Sequence, residues 1–131
     1  MKISIVLATF AFLICGLTAF AADDAPTPSG KKLYHVVSLK FKEHTTPDEI
    51  KQIDEAFIAL KMKVPGIISL HWGDNISPEK SNHGFTQCFV LTFASVKDRD
   101  GYLVHPDHKA FGALGGPHFA DVMVMDFWGN E

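Results

Sequence analysis

The chain has 131 residues, 47% of them hydrophobic, with 12 basic and 15 acidic side chains and a formal net charge of −3 at pH 7. That length and apolar content suit one small domain with its own core. The negative balance argues against nucleic acid as a partner.

Met1 and Lys2 form a minimal basic start, residues 3–20 are almost wholly apolar, and Ala19-Phe20-Ala21 offers a small-x-small cleavage site. This pattern is that of a secretory signal peptide over residues 1–21, cut after Ala21, so a secreted or periplasmic location without membrane contact is expected. The apolar run is near the spanning length, which makes a retained anchor the second reading. Cleavage removes Lys2 and Cys15, leaving 11 basic against 15 acidic side chains, about −4. Cys88 is then the sole cysteine, so no internal disulfide is expected and noncovalent packing must hold the fold.

Residues 22–32 are polar, proline- and glycine-containing, and read as a flexible leader. Leu33 to Phe41 alternates as a strand, with His35, Val37, Leu39 and Phe41 on one face. Thr46, Pro47 and Glu49 form a capping-box helix start, and Ile50, Ile53, Phe57 and Leu60 follow at helical spacing until Pro65 and Gly66. Strands are predicted over Ile67–Trp72 and Gly84–Phe93, the second with Phe85, Gln87, Phe89, Leu91 and Phe93 on one face and Thr86, Cys88, Val90 and Thr92 on the other. The polar stretch Asp74–His83 lies between them as a loop. Ser95 and Asp98 signal another helix start, and Pro106 predicts a corner followed by a second short helix to Leu114. Gly115, Gly116 and Pro117 break the helical region, and Asp121–Trp128 is the last strand.

The order strand-helix-strand-strand-helix-strand implies an α+β, ferredoxin-like βαββαβ fold, a four-stranded antiparallel sheet with helices on one face. Its second face also carries apolar side chains, among them Cys88, Val90, Met123 and Met125, and such a surface calls for a cover. A second copy of the sheet is the economical cover, so a homodimer built through the open sheet face is expected.

The segments Leu33–Lys42, Val64–Gly66, Trp72–Asn75, Asn82–Thr86, Val90–Phe93, Asp100–Tyr102, His105–His108 and Asp121–Phe127 together resemble the stress-responsive A/B barrel (Dabb) family of dimeric α+β barrels. The resemblance spans about residues 33–128, leaving 129–131 as a tail. It implies a homodimeric protein of small-molecule-binding or stress-tolerance type without established catalysis. One plant member of the family is a polyketide cyclase, so the resemblance also implies a lyase or isomerase alternative. There the cyclase's tyrosine and histidine correspond to Tyr102 and His108, and His35 matches a histidine of its pocket. The cyclase has a further histidine where this chain has Gln87.

His108 suits a general base because an imidazole titrates near neutral pH. Tyr102 suits a hydrogen-bond donor to a carbonyl or developing enolate. Against this stands a packing role, in which both satisfy backbone groups exposed by the break at Pro106. His35, Gln87, Phe89 and His105 are candidate substrate-binding residues around a small apolar ligand. For His35 the alternative is a satisfied core histidine, and for His105 a packing or capping residue at the corner. No ligand motif links the histidines, so neither a metal nor another cofactor is expected.

Overall fold

Alternation along the first strand decides the layering. In the computed structural model, which describes residues 27–129, β1 (Leu33–Phe41) buries Leu33, His35, Val37 and Leu39 beneath helices. Tyr34, Val36 and Lys40 on the opposite face are only partly buried. The expected signal segment with its cleavage site, and most of the tail, lie outside the described residues.

Helix α1 (Pro47–Lys63) starts where its cap demands. Thr46 Oγ1 accepts from the Glu49 amide at 3.3 Å, and Glu49 Oε2 accepts from the Thr46 amide at 2.8 Å, so two of the unpaired amides of the first turn are satisfied. Its buried residues Ile53, Phe57 and Leu60 carry the apolar stripe onto the sheet, and Phe57 stacks on Phe89 with ring centroids 3.9 Å apart. Burying side chains of this size contributes roughly 1.5–3 kcal/mol each.

The remaining elements are β2 (Ser69–Asp74), β3 (Gln87–Phe93), α2 (Val96–Val104), α3 (Pro106–Gly115), a 3-10 turn (Gly116–His118) and β4 (Phe119–Trp128). The strands form one sheet in the order β2-β3-β1-β4, with every neighbouring pair antiparallel. This is the ferredoxin-like arrangement expected from the sequence.

The element ends move for local reasons. β3 begins at Gln87 rather than Gly84 because His83 (φ 48°) and Gly84 (φ 87°) turn through left-handed backbone, closed by the Phe85 amide donating to the Asn82 carbonyl. β2 begins at Ser69 because Ile67 is still bonded to the helix end through the Val64 carbonyl. β4 starts early, at Phe119, whose ring lies directly over Gly115. A Cβ on Gly115 would come within 2.2 Å of that ring, so only glycine lets the two elements approach so closely.

The open face of the sheet carries Val36, Val90, Met123, Met125 and Phe127, the last three 39–52% exposed. Cys88 lies on this face, free and partly buried.

Candidate active site

The corner at Pro106 creates the site. Pro106 has no amide to donate and ends α2 at Val104, while the Asp107 amide turns to His105 Nδ1 at 3.2 Å. His105 is thus the N-cap of α3. The Leu103 carbonyl, left without a helical partner, accepts from His108 Nδ1 at 3.1 Å. With its hydrogen on Nδ1, the neutral ring keeps its lone pair on Nε2.

Tyr102 lies beside it, the two rings 4.3 Å apart. Tyr102 is 1% exposed, and its hydroxyl has no hydrogen-bond partner among the described residues. Burial raises its pKa, so the phenol stays protonated and keeps its O–H available to donate. Burial also lowers the pKa of His108, opposed by the Leu103 carbonyl and aided by the nearby His35, so the ring is neutral at pH 7.

His35 comes from β1 and packs edge-on against Tyr102, ring centroids 5.5 Å apart. Its Nδ1 bonds Asp126 Oδ1 at 2.6 Å, across the β1–β4 register pair His35–Asp126. The other Asp126 oxygen takes a hydrogen bond from Arg99 Nη1, and Arg99 Nε donates to Asp100 at 2.7 Å. The His35 ring is therefore held in place by a carboxylate that is itself clamped from α2.

These side chains line a cavity of about 290 Å³ between α2, α3 and the β1–β4 half of the sheet. His35, Tyr102, His108 and Asp126 are its polar groups, and Val37, Phe111, Phe119 and Val124 typify the rest of its wall. A small, mostly apolar pocket with few polar groups at one end is the usual form of an organic-ligand site.

Three residues singled out from the sequence lie elsewhere. Gln87 donates to Asp74 Oδ1 at 3.2 Å and accepts from the Thr86 hydroxyl, at the α1 side of the sheet. Phe89 is fully buried between Phe57 and Trp72. His105 caps α3 and does not line the cavity. The sequence reading did not find Asp126 and Arg99. The available signal was a lone carboxylate in the apolar strand Val122–Trp128, opposite a histidine in the register. Among the described residues no group of three or more His, Cys, Asp or Glu side chains could hold a metal ion.

His108 can accept a proton at Nε2 while Tyr102 donates a hydrogen bond to an oxygen gaining negative charge. That pairing suits proton abstraction beside a carbonyl, or polar anchoring of a carbonyl-bearing ligand.

Comparison with known proteins places this geometry. Olivetolic acid cyclase of Cannabis sativa is 25% identical over 93 residues, covering 71% of this chain and 92% of the cyclase. The crystal structure of At3g17210 from Arabidopsis thaliana matches with a TM-score of 0.71 at 26% identity, over 76% of this chain and 96% of that one. Hydroxynitrile lyase from Passiflora edulis shares the fold with a TM-score of 0.70 at 24% identity, over 77% and 95% of the two chains. A dimeric ferredoxin-like protein of unknown function from Thermobifida fusca does so with a TM-score of 0.66 at 23% identity, over 76% and 92%. Residues 33–129, the whole sheet with its helices, match the profile described as Stress responsive A/B Barrel Domain, and the chain belongs to that family, Dabb.

Proposed function

We propose that this is an exported homodimeric protein of the stress-response type that binds a small, largely apolar ligand carrying a hydrogen-bond acceptor. One observation carries the reading: the buried Tyr102 hydroxyl, without a partner among the described residues, on a mostly apolar cavity wall beside a neutral imidazole. A buried donor left unpaired is unfavourable, and a ligand oxygen would satisfy it. The apolar open sheet face and the dimeric ferredoxin-like neighbours support the homodimer. The basic start, apolar run and Ala19–Ala21 site support export.

The free lone pair of His108 favours a second reading, a lyase or cyclase. In the bond-forming direction His108 Nε2 would take a proton from the carbon beside a carbonyl, and Tyr102 would stabilise the enolate oxygen. The imidazolium would then protonate the alkoxide formed when the enolate carbon adds to a second carbonyl; cleavage is the reverse, with His108 taking the proton from that hydroxyl. The similarity to a polyketide cyclase, and the fold shared with a hydroxynitrile lyase, support this class and assign no substrate.

Native mass spectrometry of the mature protein from an exporting host tests the first reading. The expected species is a dimer with one small molecule per protomer, and ligand retention falls about tenfold in Tyr102→Phe. A monomer, or retention unchanged by the loss of the hydroxyl, would overturn it. For the second reading, His108→Ala with an intact fold and unchanged turnover of any converted ligand would be decisive against it.

A further inference from the structure

The α1 side of the molecule holds a second cavity, of about 410 Å³, separate from the one at His108. Ile50 and Ile58 of α1 and the indole of Trp72 supply its apolar wall, Asp54, Glu55 and Asp74 its carboxylates, and Lys51 a single cation at its rim. Trp72 is 46% exposed, so its ring edges the opening.

Asp54 is the unusual member. It sits in the apolar stripe of α1 between Ile53 and Phe57, is only 6% exposed, and its buried Oδ1 has no hydrogen-bond partner among the described residues. A buried carboxylate without a donor is strongly disfavoured. Burial pushes its carboxyl up to about 6, and the charge of Asp74 adds to the effect.

The surrounding groups do not relieve it. On α1, Lys51 and Glu55 pair with each other at 3.9 Å. On β2, Asp74 accepts from Gln87, which reaches over from β3 with an uncharged amide. Among the described residues no group of three or more His, Cys, Asp or Glu side chains stands here to hold a metal ion. What remains is a negative floor beside an aromatic face, the combination that favours a cation with an apolar body.

We propose that the cavity formed by Asp54, Asp74 and Trp72 binds a small organic ammonium ion, its nitrogen at the carboxylates and its carbon chain against the indole. The ion supplies the donor that Asp54 lacks and cancels the repulsion between the two carboxylates. The ammonium belongs either to a free amine or to a lysine side chain of a peptide, and these have the same chemistry at the site.

Isothermal titration calorimetry of the mature protein with n-butylammonium chloride at pH 8, where Asp54 is ionised, tests this. Saturable binding is expected, about tenfold or more tighter than that of the neutral isostere 1-butanol. Affinity should drop by a similar factor on going to pH 5, as Asp54 takes up its proton, and in Asp54→Asn. Trp72→Leu, at a half-exposed position, provides a second variant should Asp54→Asn fail to fold, with a loss of several-fold. Tighter binding of n-butylammonium than of Nα-acetyl-lysinamide assigns a free amine, and the reverse order a peptide lysine; both uphold the site. Equal affinity for butanol and butylammonium, or full affinity in the folded Asp54→Asn variant, would overturn it.

Discussion

β1 and β4 are paired along their length, yet their helix-facing residues meet different fates. Val37 on β1 is 6% exposed, whereas its register partner Val124 on β4 is 50% exposed, and Val122 is 43% exposed. Helix α1 packs over the β3 side of the sheet, where Phe57 stacks on Phe89, and nothing equivalent among the described residues covers β4. The same face of one sheet is therefore close-packed core on one side and cavity wall on the other. An incompletely roofed edge strand is what leaves a cavity among apolar side chains without breaking the core.

The sharpest break of this contrast is Phe57→Ala. It removes a ring from the covered side and should cost about 3–5 kcal/mol, read as a lowered midpoint in urea unfolding. A loss below about 1 kcal/mol would show that the covered side is loosely packed after all.

An intermediate effect is expected from pH at the junction of the two regions. The folded-state pKa of His108 is depressed below 6.5, so the unfolded chain takes up the proton first. Its contribution to stability is complete above pH 6.5 and declines as the pH falls through the lower folded value. Asp54 acts in the opposite sense: its folded pKa is raised from 3.8 to about 6, so the fold gains stability from it as the pH falls through that range. Comparing wild type with His108→Gln separates the two. Between pH 8 and 5 the wild type should lose stability relative to the variant, and parallel curves would contradict the half-buried, neutral ring.

The smallest effect belongs to the open side. Val124→Ala should change stability by less than about 0.5 kcal/mol while altering which ligands the cavity retains. A large destabilisation would mean that the wall is part of the core.

Much of the fold was legible in the chain because its signals are local. Thr46, Pro47 and Glu49 mark a helix start that needs no tertiary context, and the alternation of Leu33–Phe41 sorts the faces of β1. The corner at Pro106 was equally plain. Boundaries slipped where a turn outranked alternation, as at His83 and Gly84 before β3. The site was legible only in part. Alternation puts His35, Gln87 and Phe89 on the helix-covered face alike, but says nothing of which strand lies beneath which helix. Gln87 and Phe89 stand on β3 and face α1, while His35 on β1 meets Tyr102 and His108. The Asp126 clamp was hidden for a related reason, since it depends on strand register and on Arg99 reaching across from α2.

The hydrogen bond from His108 to the Leu103 carbonyl has one more consequence. The proton position on the imidazole is dictated by main chain, at a break that Pro106 enforces, and not by any side chain of the cavity wall. Substitutions at Val122 or Val124 can therefore reshape the cavity without disturbing the tautomer of His108. The proton of the ring is anchored in the backbone of the corner and the shape of the cavity is set by the edge strand, so each is free to vary on its own.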